Sequence, residues 1–286
     1  MPARTTGDGI AAALYTGPAL LYLALLFLAP IAVVAAFSLT TAAPGTGMPV
    51  ELTLDNYRRA LDPLYLAVLL KSAWLALVTT LVALAIAYPC VLALRALPQR
   101  LRLLLLGLVV IPALINLLIR NYAWIIVLRR DGVLNLLLQA AGITDEPLTL
   151  LFNDGAVLVG LVHTYLPFMI LPLYAAIERM DWSLVEAARD LGAGRWRVFR
   201  EVVLPQTRAG AFVGAILVFI PALGAFVTPD LLGGARSLMV ANLIQNQVLL
   251  VRDWPFAAAL AMFLIALVLL GIFALQRATR ADGRAL

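Results

Sequence analysis

Apolar residues run along this chain in long unbroken stretches, not in the periodic stripes of a water-facing helix or strand. Stretches near 14–39, 67–94, 103–119, 156–177, 209–227 and 256–275 approach or exceed the roughly 20 residues that cross about 30 Å of hydrocarbon at 1.5 Å per residue. Six spanning helices are predicted. A seventh stretch, 122–128, is too short to span, and Arg129 and Arg130 follow it directly. It is read as an interfacial or re-entrant piece after the third span. The first stretch is longer than the apolar region of a secretory signal, about 7–15 residues, and is counted as a span.

Composition supports that pattern. Apolar residues make up 63% of the chain and charged residues 13%, against about a quarter charged in a soluble domain. So few polar groups cannot cover a water-facing surface, and the class is an all-α membrane protein. The net charge of +5 comes from basic residues lying between apolar runs, which points to membrane topology and not to nucleic acid. With the N-terminus inside, the cytoplasmic segments hold about 13 Lys and Arg and the outer segments about 8, which favours cytoplasmic termini. The expected organisation is a cytoplasmic N-terminus over 1–13, a six-span transmembrane domain over 14–277 and a cytoplasmic tail over 278–286.

Several chemistries are excluded. One cysteine, Cys90, cannot pair within the chain, and with a single histidine, His163, no His/Cys metal site is expected. The only lysine, Lys71, follows Leu70, so the chain lacks the Gly-Lys-Ser/Thr loop that holds ATP phosphates. No nucleophile with a base and no paired carboxylates lie in a span, which argues against a membrane enzyme. Ion-coupled secondary transport would call for intramembrane carboxylates, and these are missing too.

The informative stretch is the fourth connection, 183–210, dense in charge between apolar runs. A short helix is predicted from Glu186 to Leu191, with Asp181 or Ser183 as N-cap, broken by Gly192 and Gly194. A second helical piece at 196–203 carries Trp196, Phe199 and Val203 on one face. Pro205 then suits the first turn of the fifth span.

The order Glu186-Ala187-Ala188, Gly192, Val202, Leu204-Pro205 resembles the EAA loop of ABC importer permeases, with Val202 where isoleucine is usual. Asn56-Tyr57-Arg58-Arg59, residues 118–124, Asp131 to Asn135, Thr228 to Gly234, Asn242 to Gln247 and Asp253-Trp254-Pro255 resemble the spermidine/putrescine-type permeases, the first of that system's pair. The resemblance implies a type I ABC importer (MetI-like) permease fold with a coupling loop at 183–208. There Glu186 meets a basic residue of the ATPase, Ala187 and Ala188 allow close approach, and Gly192 permits the turn. It also implies two cytoplasmic ABC ATPase subunits, a second homologous permease and a periplasmic or lipid-anchored substrate-binding protein. ATP and magnesium are expected on the ATPase, and no cofactor or metal on this chain. Other members of the group carry other small solutes, so the cargo stays open at this point.

A polyamine path calls for carboxylates or aromatic faces. The chain offers Asp230 and Asp253 near the outer face, with Trp124, Tyr165 and Phe226, and also Tyr88. Span five, with Pro221 and Gly224, is the expected pore-lining helix. His163 and Asn116 are expected to form hydrogen bonds between helices, and Lys71 to snorkel to the interface. Pro112, Pro167, Pro172 and Pro221 are expected to kink helices, and Gly214 and Gly224 to permit close packing.

Overall fold

The computed structural model describes residues 6–42, 49–234 and 237–282. The helices in chain order are α1 (Thr6–Ser38), α2 (Asp55–Ala60), α3 (Pro63–Arg95), α4 (Gln99–Leu114), α5 (Leu117–Leu128), α6 (Val133–Ala140), α7 (Asp154–Glu178), α8 (Ser183–Asp190), α9 (Arg195–Val198), α10 (Leu204–Leu223), α11 (Val240–Asn246) and α12 (Trp254–Asp282). Among the described residues the only β pairing is an isolated bridge between Thr40 and Leu52. Five stretches are long and apolar enough to cross a membrane: Thr16–Ser38, Pro63–Arg95, Asp154–Glu178, Arg195–Leu223 and Trp254–Phe273. A sixth is reached if α4 and the helices after it count as one span bent by 96°. The expected cytoplasmic ends, 1–13 and 278–286, include residues 1–5 and 283–286, which lie outside the described residues.

The chain forms two compact units. One holds the described residues up to Tyr65 together with Ile244–Ile265. Here Asn56 is buried, and its amide donates to the carbonyls of Ser38 at 3.1 Å and Thr40 at 2.9 Å. These bonds satisfy C=O groups at the end of α1, which has no further helical turn to accept them. The Tyr57 hydroxyl lies 2.6 Å from Ser38 Oγ and its ring 5.8 Å from that of Phe263. The Asn-Tyr pair therefore fastens helix ends.

The second unit holds Leu66–Leu243 and the described residues from Ala266 onward. Its core is built where α3, α7 and α10 meet: Ala83, Ala87 and Val91 against Met169, Leu173 and Val218, all with no exposed surface. The α7–α10 pair is the most extensive helix contact, and glycine makes it possible. A Cβ on Gly210 would lie 2.4 Å from the Ala176 Cβ and 2.7 Å from the Pro172 carbonyl oxygen, and one on Gly214 2.7 Å from the Met169 sulfur. The expectation for Gly214 holds. Gly224 instead closes the C-terminus of α10, and a Cβ there would meet nothing nearer than the Ile220 carbonyl at 3.8 Å.

Three boundaries differ from the sequence reading. The third span, expected over 103–119, ends at Leu114, because Pro112 weakens the last turn and Asn116 starts a new helix by accepting from the Leu118 N–H at 2.8 Å. Asn116 is thus a local cap, and among the described residues its side chain makes no bond between distant helices. The piece expected over 122–128 is the body of α5. The fifth span starts earlier than 209: α9 continues through a π-helical turn, Phe199–Val203, into α10, with no gap at Pro205. Proline has no N–H to continue the α ladder, and Leu204 N–H reaches back to the Phe199 carbonyl to bridge the defect.

Candidate functional site

The segment from Ser183 to Pro205 is anchored on one side and open on the other. Val185, Val198 and Val203 are buried together with Met180, so the loop packs as a unit. The helix α8 begins at Ser183. Asp181 Oδ1 accepts from the Ser183 N–H at 3.0 Å and from its hydroxyl at 2.7 Å, so Asp181 steadies the start from outside the helix and Ser183 is no cap. Gly192 has φ +81°, the left-handed conformation that suits glycine after a helix end, and Gly194 precedes α9 in extended conformation.

On the outer face of α8, Leu184 is 49% and Leu191 88% exposed, with Ala187 between them also exposed. These positions share one helical face by their three- and four-residue spacing. Ala188 is half-buried, Glu186 and Gly192 are exposed, and Leu204 and Pro205 lie exposed at the head of α10. Among the described residues Glu186 has no ion-pair partner. The sequence places Trp196, Phe199 and Val203 on one face, but the structure divides them: Val203 is buried and Trp196 is 72% exposed.

An aromatic ladder leads from this surface inward. Trp196 stacks on Phe199 with centroids 5.6 Å apart, and Phe199 meets Tyr88 edge-on at 5.2 Å. The Tyr88 hydroxyl lies 3.1 Å from Thr207 Oγ1 in α10. Tyr88 belongs to the interior of the fold beside the loop, a correction to its place among the path aromatics.

The path candidates divide between the two units. In the first, Asp253 Oδ2 accepts from Arg59 at 2.9 Å, and its Oδ1 accepts from the Phe256 N–H at 3.1 Å, capping α12. The Arg59 guanidinium also lies 4.1 Å from the centre of the Phe256 ring. Asp253 is therefore engaged in holding a helix start. In the second unit Asp230 is exposed, and its carboxylate has no side-chain partner among the described residues. Phe226 is also exposed, and the Tyr165 hydroxyl donates to the Pro221 carbonyl at 3.1 Å. Trp124 Nε1 donates to His163 Nδ1 at 2.9 Å, so His163 makes the bond between helices that its place in a span calls for.

Two features escape sequence reasoning. Arg120 is 9% exposed and donates to the Pro112 carbonyl at 2.8 Å. With Trp124 and His163 it lines a pocket of about 370 Å³ at the break between α4 and α5. Its four-residue spacing to Trp124 on one helical face is the only signal of that burial in the sequence. Lys71 does not simply snorkel. Its ammonium lies 2.8 Å from Asp154 Oδ1, which also accepts from the Ser237 hydroxyl, and the Ser72 hydroxyl accepts from the Val240 N–H at 2.8 Å. Among the described residues no three His, Cys, Asp or Glu side chains converge as for a metal.

A helical membrane fold with a packed, outward-facing loop before its fifth long helix matches a defined class. The model of the family "Binding-protein-dependent transport system inner membrane component" matches residues 24–280, and the chain belongs to that family. It is a multi-pass inner-membrane transport permease. Among its relatives, the spermidine/putrescine transport system permease protein PotB of Escherichia coli (strain K12) is 45% identical over 228 residues, 80% of this chain and 83% of that one. PotB of Haemophilus influenzae (strain ATCC 51907 / DSM 11121 / KW20 / Rd) is 43% identical over 80% of each. The inner membrane ABC transporter permease protein YdcU of E. coli (strain K12) is 32% identical over 79% of this chain and 76% of its own. In fold, the chain matches the crystal structure of a bacterial ABC transporter involved in the import of the acidic polysaccharide alginate, with a TM-score of 0.75 over 96% of both chains at 16% identity.

Proposed function

We propose that this chain is the permease subunit of an ATP-driven, binding-protein-dependent importer of polyamines, with both termini in the cytoplasm and 183–208 as its coupling segment. The observation that carries the coupling role is α8 itself. Its inner face is buried through Val185, while Leu184, Ala187 and Leu191 stand exposed beside Glu186, which has no ion-pair partner among the described residues. Such an apolar stripe on a short charged helix calls for a groove on another protein. A cytoplasmic ATPase supplies that groove and the ATP and magnesium that go with it, and a basic residue there pairs with Glu186. Two such ATPases, a second homologous permease and a substrate-binding protein complete the complex.

Polyamine cargo is supported by the similarity to permeases named for spermidine and putrescine. The mechanism is alternating access. ATP binding closes the ATPase pair and α8 moves with it. Beyond the turn at Gly192 and Gly194, the continuous run from Arg195 to Leu223 carries that movement into the span. Asp230, Phe226, Trp124 and Tyr165 offer carboxylate and aromatic contacts for a passing cation, with recognition left mainly to the binding protein.

Co-expression with the ATPase and the second permease tests this reading. The native chain should bring the ATPase with it on purification, and Glu186→Arg should lose that association or the cargo-stimulated ATP hydrolysis while the chain still folds. A native chain that never associates with an ATPase would refute the coupling role.

A further inference from the structure

Beside the coupling helix lies a second feature, a pocket that shares Glu186 with the coupling surface but whose arginines the coupling role leaves unassigned. The pocket, of about 490 Å³, opens between the end of α3 and the inner flank of α8 and α9. Arg95 from α3, Arg189 from α8 and Arg195 from α9 converge on it, over a floor that includes Leu92, Val198 and Phe199. The only carboxylate lining it is Glu186. Two arginines of the same region are neutralised within the chain, Arg102 by Glu178 at 3.0 Å and Arg197 by Glu201 at 3.1 Å. Among the described residues Arg95, Arg189 and Arg195 have no ion-pair partner.

We infer that this pocket binds the phosphate of an anionic phospholipid. Guanidinium groups are donor-only forks matched to phosphate oxygens, and three from separate elements surround a phosphate better than they would a single carboxylate. Arg95 is held in place: its guanidinium lies 4.8 Å from the centre of the Trp182 ring, and Trp182 Nε1 donates to the Ile177 carbonyl at 3.3 Å. The level in the membrane also fits. Both α3 and α7 are longer than the hydrocarbon core needs, about 50 Å and 37 Å against about 30 Å. Their ends at Arg95 and Glu178 therefore reach the headgroup zone, and the pocket is lined by Arg95 itself and by Trp182, just beyond the end of α7. The apolar floor suits the glycerol and first acyl carbons of a lipid and offers nothing to free phosphate. A lipid seated here holds the coupling helix to the membrane surface, so transport should depend on the anionic lipid content.

The test uses the complete transporter in phosphatidylcholine nanodiscs with or without phosphatidylglycerol. Retained phosphatidylglycerol is counted by native mass spectrometry. Neither cargo nor ATP is needed, so the result stands apart from the importer reading. The native complex should retain phosphatidylglycerol, and Arg95→Gln/Arg189→Gln/Arg195→Gln should retain about tenfold less, in line with the attraction of a basic cluster to an anionic surface. Arg197→Gln, already paired to Glu201, should retain the native amount. If the triple variant does not fold, Arg195→Glu alone should show the loss. Equal retention in native and variant overturns the proposal. So does displacement of the lipid by inorganic phosphate, which would assign the site to a soluble anion. Unchanged lipid with loss of ATPase association overturns it as well, by assigning the arginines to the ATPase.

Discussion

The Tyr88 hydroxyl donates to Thr207 Oγ1 across 3.1 Å and so ties α3 to the start of α10. The direction follows from the proton count, because the Thr207 hydroxyl proton is already given to the Val203 carbonyl at 2.7 Å. Tyr88 also carries the inner end of the ladder through Phe199 to the exposed Trp196. One buried hydroxyl therefore connects the coupling segment to two membrane helices.

Tyr88→Phe removes that bond and keeps the ring. A loss of about 1 kcal/mol in stability is expected, readable as a lower midpoint of thermal unfolding. The ratio of cargo moved to ATP hydrolysed should fall by up to about fivefold, the equivalent of that energy. An unchanged ratio would mean that the Tyr88–Thr207 bond transmits nothing.

The α7–α10 crossing depends on two missing side chains. Gly210→Val and Gly214→Val place carbon inside the contact distances to Ala176, Pro172 and Met169, and overpacking of this kind costs about 1–3 kcal/mol or more. Both variants should unfold earlier or fail to accumulate in the membrane. Gly224→Ala, with open space around it, should behave as native in the same assay.

At Gly192 the requirement is the backbone. With φ +81° and no neighbour within 4 Å of an added Cβ, Gly192→Ala meets no clash but carries a strain of about 1–2 kcal/mol. The span helices should remain folded. Cargo-stimulated ATP hydrolysis should fall, because the turn between α8 and α9 is displaced. Native stimulation in this variant would show that the turn tolerates other conformations.

The sequence made the membrane class, the helix order and the loop around Glu186 legible, because hydrocarbon thickness sets span length and the Glu-Ala-Ala…Gly…Leu-Pro spacing is local. It could not show which polar residues serve the fold itself. Asn56, Asn135 and Asp253 sit in stretches that look functional, yet the structure uses them to satisfy backbone groups at helix ends and loops: Asn135 donates to the Arg129 and Leu148 carbonyls and accepts from the Leu148 N–H. The partners of the two asparagines are 6 to 18 residues away in the chain. The Lys71–Asp154 and Tyr88–Thr207 pairs are farther apart still and leave no periodic trace. The break after Leu114 was hidden because apolar residues continue across it.

The two acidic path candidates should part company. Asp253→Ala removes a helix cap and an ion pair, for which a stability loss of about 1 kcal/mol is expected, with uptake by the folded protein close to native. Asp230→Asn should leave stability unchanged and lower the rate of polyamine uptake. Unchanged uptake in Asp230→Asn would remove this chain's free outer carboxylate from the cation path.

The most direct test of the central claim is accumulation of labelled spermidine and putrescine by liposomes holding the complete complex with its loaded binding protein. The native complex should accumulate polyamine only when ATP is supplied, and an assembled Glu186→Arg complex should not. Accumulation without ATP would contradict the importer account. ATP hydrolysis stimulated only by a binding protein loaded with a different solute would contradict the assignment of polyamine as cargo.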